Sequence, residues 1–173
     1  MAAILLEYLG HPTPSVRVVA VQALSACLVR DLAKDPGKKI GDPEAAREVE
    51  KKIARLLLER TLEEEHPAAR SALGDALMKL RPREYFQLAL AVVVESQNAL
   101  HRDRAAGGIV FALRKSWVPE TIAALPKTPP GINTGGNPAV RWLLEKVFQQ
   151  DFGYDSQKWE AWWKANAHRY IDN

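Results

Sequence analysis

Four histidines, one cysteine, a run of three glutamates and scattered serines are the residues with which this 173-residue chain could do chemistry. Zinc sites announce themselves in sequence as spaced Cys pairs or as two His on one helix face in an H-x-x-x-H pattern. His11, His66, His101 and His168 form no such pair. The lone Cys27 lies in the apolar stretch LSACLV, where a thiol fills space and lacks the charged, partly open setting that a nucleophile needs. Glu63, Glu64 and Glu65 stand just before His66-Pro67 and read as a solvated run that favours the next helix N-terminus. An acid/base pair would need burial that three adjacent charges resist. Ser25 and Ser71 lack a nucleophile elbow, and GINTGG lacks the Lys-Ser/Thr ending of a phosphate loop. The residues therefore offer no catalytic set, metal site or cofactor site, and the chain is expected not to be an enzyme.

Two strings deserve separate treatment. His101-Arg102-Asp103 and Asp151-Phe152-Gly153 spell protein-kinase signatures in the right chain order. A kinase also needs an Asn five residues after the catalytic Asp, a glycine-rich strand loop and a strand lysine. Gly108 occupies the Asn position and the other two features are absent. The strings read instead as a repeat turn and a helix-capping turn.

Binding has more material. The chain carries 24 Lys and Arg against 21 Asp and Glu, a net charge of +3, too little to signal nucleic acid by itself. Residues 1–80 hold 12 basic and 12 acidic side chains, residues 81–173 hold 12 and 9, so the excess is C-terminal. Its densest part is Arg102, Arg104, Arg114 and Lys115, opposed only by Asp103: a weak anion-binding face or a solvated helix surface. Trp159, Trp162 and Trp163 fall at i, i+3 and i+4, on one helix face, preceded by Phe152 and Tyr154. Such a face must be covered, either as a cap on the preceding helices or by a peptide or nucleic-acid base. Arg102, Arg104, Arg114, Lys115, Trp159 and Trp162 are accordingly the candidate binding residues.

The elements that would position these groups are helices. With 47% of residues in the apolar set, 26% charged, 10 Gly and 11 Pro, the composition is that of an ordinary globular chain. No window approaches the roughly 18 consecutive apolar residues of a membrane span. Ile4, Leu5, Tyr8 and Leu9, then Val16, Val19, Ala20, Ala23, Leu24, Cys27 and Leu28 recur at helical spacing. Between them, GHPTPS supplies Gly10 for a positive-φ helix end, Thr13 for a cap and Pro14 for a first turn. A third helix is predicted from Pro43 to Glu65, with Val49, Ile53, Leu56 and Leu57 on one face. Residues 84–95 are apolar nearly all round and their length favours a helix over a strand. Further helices are predicted at 98–116, 118–125, 138–150 and 155–167. Loops lie at 35–43 and at 126–138, the latter with four Pro and three Gly. The long loop reads as an inter-helix connection or a partner contact.

Four of these helices begin alike: PSVRVVAVQAL, PAARSALGDAL, RDRAAGGIVFAL and PAVRWLLEKVF. Aligning Arg17, Arg70, Arg104 and Arg141 places Ala20, Leu73, Gly107 and Leu144 three residues on, and Leu24, Leu77, Phe111 and Phe148 seven residues on. Those offsets trace one helix face, so the repeating unit is one helical hairpin, with the first interval lengthened by the 35–43 insert. The pattern resembles the HEAT-repeat family of α-solenoids, most closely in LLEYLGHPTPSVRVVAVQAL; HPAARSALGDAL repeats its second half. The tail, DFGYDSQKWEAWWKAN, is similar to a C-terminal ending of some bacterial HEAT-like proteins. Family units often set an Asp in the turn to meet the arginine. Here His11, Thr13 and His66 stand in that turn, so an intact Asp-to-Arg ladder is not expected.

The resemblance implies an all-α, right-handed α-α superhelix of about four hairpins over residues 1–150, closed by an aromatic capping helix at 151–173 on the last repeat. It implies a non-catalytic binding or scaffold module that engages another protein through the face formed by the second helices. The alternative is a nucleic-acid-binding HEAT-like domain using the basic cluster with the tail aromatics. No membrane partner is expected. MAAILLEYL lacks a positive start and is broken at Glu7, which fails the signal-peptide pattern and suggests a cytoplasmic protein or part of a larger one. The first helix has no polar cap, so a second copy or an upstream segment is expected to cover it.

Overall fold

Pro14, Pro43, Pro67, Pro82 and Pro138 each stand at the first position of a helix, where the missing N–H is one the helix would leave unpaired and the fixed φ is already helical. The computed structural model describes residues 2–33, 43–80 and 82–170, and the side chains among these outside 2–4, 27–33, 43–50, 80 and 82. The surroundings of Cys27, the side chains of Ile4 and Val49, and residues 35–42 of the insert lie outside the described residues. Among the described residues the fold is all-α, with no strand. The helices are α1 (Ala2–Tyr8), α2 (Pro14–Ala33), α3 (Pro43–Glu63), α4 (Pro67–Leu80), α5 (Pro82–Glu95), α6 (Ala99–Ala112), α7 (Val118–Ala124), α8 (Pro138–Phe148) and α9 (Ser156–Asn166).

The chain divides into two compact units, Met1–Tyr85 and Phe86–Asn173. In the first unit α1 packs on α2, α3 on α4, and the second helices α2 and α4 on each other. Val21 and Leu24 from α2, Leu57 and Leu58 from α3, and Leu73 and Leu77 from α4 are buried there. Leu56, expected on the inner stripe of α3, is only half-buried, and Leu58 takes that place. The turn after α1 also differs from expectation. Gly10 does not take a positive φ; Leu9, Gly10 and His11 donate to the carbonyls three residues back, at 3.3, 3.2 and 3.1 Å, which tightens the end without a left-handed residue.

In the second unit α6 packs on α8, again second helix on second helix, while α7 packs on α8 and α9. Along α5, Tyr85 at the end of the first unit and Phe86, Ala89, Leu90 and Val93 in the second are buried, while Gln87, Ala91 and Glu95 are exposed, so the nearly all-apolar run is an amphipathic helix. Asn98 caps α6 by accepting from the Leu100 and His101 backbone N–H groups, Asn137 caps α8, and Asp155 caps α9 by accepting from Lys158. His101-Arg102-Asp103 thus lies within the first turns of α6 and is not a turn; the turn is Ser96–Asn98. In Asp151-Phe152-Gly153 the Asp151 carboxylate accepts from the Gly153 N–H at 2.8 Å, one step before the Asp155 cap. The aromatic helix packs on the preceding hairpin, with Phe148 of α8 against Trp159, Trp162 and Trp163 at ring separations of 6.3, 5.3 and 5.4 Å.

Candidate functional site

An arginine occupies the fourth position of each second helix: Arg17 in α2, Arg70 in α4, Arg102 in α6 and Arg141 in α8. Three of them reach back six residues to a carbonyl in the turn that follows the preceding helix: Arg17 to His11 at 2.6 Å, Arg70 to Glu64 at 3.0 Å and Arg102 to Ser96 at 2.7 Å. A guanidinium suits that place because carbonyls of a turn between helices have no ladder partner and accept readily from a charged donor. Counting from these arginines, the residues three on are Ala20, Leu73, Ala105 and Leu144, and those seven on are Leu24, Leu77, Ile109 and Phe148, all buried.

This corrects the register of the third repeat. The arginine is Arg102, not Arg104, and the inward residues are Ala105 and Ile109, not Gly107 and Phe111. Phe111 is 84% exposed, whereas Ile109 is fully buried. The missed signal was the cap: Thr13, His66, Asn98 and Asn137 each precede their arginine by four residues.

The complementary row, one, five and nine residues after each arginine, is exposed or half-buried. In α4 it is Ser71, Asp75 and Lys79; in α6 it is Asp103, Gly107 and Phe111; in α8 it begins with Trp142 and Lys146. Leu100, 52% exposed, lies on the same face of α6, and Trp142 is 45% exposed. In the first unit this row borders a groove of about 470 Å³ between α2 and α4. Ala26, Ala68, Ala72 and Ala76 line it with Val18 and Val21, and Gln22, Ser25, Ser71, Asp75 and Lys79 supply polar groups. The two serines that carry no nucleophile motif therefore share a groove, without a histidine beside them among its lining residues.

The six candidate residues do not form one surface. Arg102 and Trp159 are interior: Arg102 is 7% exposed and bonded to Ser96, and Trp159 is fully buried with its indole N–H donating to the Gly153 carbonyl at 3.2 Å. Arg104, Lys115 and Trp162 are half-buried, and Arg114 is exposed with its guanidinium 5.3 Å from the Trp117 ring centre. Phe86 stacks on the same Trp117 at 4.8 Å, so that indole is a packing element.

Two features escaped the sequence. Glu64 is not a solvated member of its run: its side chain is 8% exposed and accepts from Arg17 Nε and Nη2 at 2.7 and 2.6 Å. The bond to Arg17 holds its carboxyl below the usual range, helped by the His66 backbone N–H. An acid-to-arginine rung therefore exists between hairpins, made by a Glu of the following unit. The second feature is the end of the 126–138 loop. Asn137 is fully buried; its amide donates to Val93 and Lys127 carbonyls at 3.0 and 3.3 Å, and its carbonyl oxygen accepts from the Ala139 and Val140 N–H groups. A Cβ at Gly136 would sit 2.5 Å from Tyr154 Cδ1 and 2.9 Å from the Leu125 carbonyl, so only glycine fits.

Arg141 departs from its three counterparts and holds the tail. It pairs with Glu145 on its own helix and with Asp151 at 3.1 Å, and lies 5.5 Å from the Tyr154 ring centre. The Gly153 N–H, more than Arg141, keeps the Asp151 carboxyl below its ordinary range. Among the described residues no three His, Cys, Asp or Glu side chains gather where they could hold a metal ion, and no helix is long and apolar enough to cross a membrane. No protein-family model, curated protein or solved structure matches the chain.

Proposed function

We propose that the chain is a non-catalytic protein-binding or scaffold module of the HEAT-repeat type, engaging a partner through the solvent-facing row of its second helices. The observation that carries this is the exposure of Leu100, Phe111 and Trp142 on α6 and α8, two helices that pack together, in a register whose inward residues are all buried. Exposed apolar side chains that gather in one patch rimmed by polar residues, here Asp103 and Lys146, are the kind of surface that marks an interaction site. The right-handed stacking of about four hairpins belongs to the same proposal and is supported by the fourth-position arginines recurring in every second helix.

A photo-crosslinking phenylalanine analogue at position 111 tests the reading in the organism's own lysate. One discrete protein should be captured, and capture should fall sharply when Leu100→Glu or Trp142→Ala is added. Loss of binding by fewer than about half in both variants would overturn it. So would strong, salt-sensitive binding of DNA or RNA that disappears in an Arg104→Glu/Lys115→Glu variant, since phosphate contacts weaken steeply with salt.

A further inference from the structure

The α2–α4 groove lies in the first unit, whereas Leu100, Phe111 and Trp142, the apolar residues that carry the partner reading, lie in the second, and the shape and charges of the groove point to a different occupant. Its floor is small and apolar: Val21 and Ala76 are buried, and Ala68 and Ala72 reach the surface without bulk. Small side chains let a neighbouring helix approach closely. One wall is α4, whose exposed residues Ser71, Asp75 and Lys79 recur every four positions and so form a single ridge. The same helix therefore supplies both a ridge and the side of a groove.

The charges select the orientation. Asp75 and Lys79 are four residues apart, both exposed, and among the described residues neither makes a hydrogen bond or ion pair. If a second α4 lies antiparallel across a two-fold axis passing level with Leu77, Asp75 of each copy meets Lys79 of the other. A parallel, in-register neighbour would instead oppose like charges. Only the antiparallel, two-fold arrangement is self-complementary, and that is the requirement for an isologous contact.

The geometry points to the α2–α4 groove as a self-association site, in which α4 of one copy seats its Ser71–Asp75–Lys79 ridge in the groove of a second copy, reciprocally. The two layers are staggered, so each α4 fills the other copy's groove and the small alanines permit the close approach. Opposed charges at such a contact fix register and steer encounter more than they add affinity, so the dimer should be weak and salt-sensitive.

Sedimentation equilibrium of the full chain over a range of concentrations, at low and high salt, tests this. The parent should show a concentration-dependent dimer. Asp75→Lys and Lys79→Asp should each weaken it by about tenfold or more, because each sets like charges opposite one another. Mixing those two variants should give a one-to-one heterodimer, and the Asp75→Lys/Lys79→Asp double variant should recover the homodimer. Gln22→Trp, which obstructs the groove from its other wall, should give monomer without any charge change. Circular dichroism checks that each variant remains helical. A parent that stays monomeric at its highest soluble concentration overturns the proposal, as does a dimer indifferent to both charge reversals or a failure of the mixed variants to pair.

Discussion

The guanidinium of Arg17 and the carboxylate of Glu64, 47 residues apart in sequence, are joined by two parallel hydrogen bonds of 2.7 and 2.6 Å. Arg17 at the same time holds the His11 and Pro12 carbonyls, at 2.6 and 3.0 Å, and Glu64 accepts from the His66 N–H at 2.9 Å. The backbone carbonyl of Glu64 is in turn the acceptor for Arg70. One ion pair thus ties the turn of the first hairpin to the turn of the second, and a planar fork facing a carboxylate is the geometry in which arginine cannot be replaced by lysine without loss.

The pH dependence of that tie has a definite sign. Arg17 holds the Glu64 carboxyl below its ordinary range, so folding stability from this group is present above the unfolded-state pKa and is lost as pH falls through the folded value. Thermal melts of the parent and Glu64→Gln across pH 7 to 3 should show the variant less stable at neutral pH and the difference closing in acid. Arg17→Lys should reproduce part of the neutral-pH loss. A difference in Tm that stays constant down to pH 3 would show that the carboxylate's charge is not what matters.

The third repeat gives a test of register. Ile109 is fully buried and Phe111 84% exposed. Ile109→Ala should therefore cost about 2–5 kcal/mol, while Phe111→Ser should stay within about 0.5 kcal/mol of the parent. Arg102→Ala should cost about 1.5–3 kcal/mol through the lost charge-assisted bond to Ser96. Denaturant melts would read all three, and a Phe111 variant less stable than the Ile109 one would restore the alternative alignment.

How far the sequence carried the fold follows from which signals are local. Helix starts were legible because Pro, Asn, Thr and Asp act within one turn; the helices predicted at 84–95, 138–150 and 155–167 appear as Pro82–Glu95, Pro138–Phe148 and Ser156–Asn166. The third repeat is offset by two residues from the expected alignment because RDR offers two arginines; the Asn98 cap four residues before Arg102 and the Ser96 carbonyl six residues before it distinguish them. Trp159 and Arg102 looked like surface candidates because residue type says nothing about which face a neighbour covers. The Arg17–Glu64 pair and the α2–α4 groove join residues about fifty positions apart, and no local pattern encodes such a meeting.

The loop before α8 should behave as a clamp. Asn137 satisfies two helix N–H groups with its oxygen while its amide reaches the Val93 and Lys127 carbonyls. Asn137→Ala removes the cap and leaves a buried carbonyl unpaired, for a combined cost of about 2–4 kcal/mol. Asn137→Asp keeps a capping oxygen but buries a carboxylate against the Val93 and Lys127 carbonyls, and so should be at least as destabilising at neutral pH. Gly136→Ala should also destabilise, because Tyr154 and the Leu125 carbonyl leave no space for a methyl. Equal melting temperatures for parent and Gly136→Ala would mean that the tail shifts freely.

Burial without a partner predicts the opposite sign at Tyr85. Its ring is 2% exposed, burial pushes its hydroxyl up to about 12, and among the described residues that hydroxyl makes no hydrogen bond. A buried polar group with no partner is destabilising, and an apolar replacement of the same shape removes the cost. Tyr85→Phe should therefore be neutral or stabilising by up to about 1 kcal/mol. A large loss of stability would reveal a partner for the hydroxyl.

Two tryptophans separate packing from recognition. Trp159 is enclosed by Phe148 and Phe152, with ring centres at 6.3 and 5.0 Å, and bonded to Gly153. Trp159→Ala should cost about 3–5 kcal/mol, and Trp163→Ala, at 8% exposure, should approach that value. Trp142 on α8 is 45% exposed, so Trp142→Ala should leave the melting temperature nearly unchanged. If the outward row of the second helices meets a partner, that same substitution should weaken partner capture, because exposed aromatics contribute to binding through area that folding does not use. The two variants thus dissociate: Trp159→Ala reduces capture only to the extent that it unfolds the protein, while Trp142→Ala reduces capture in a fully folded one. Capture that tracks folding in both would place the binding surface elsewhere.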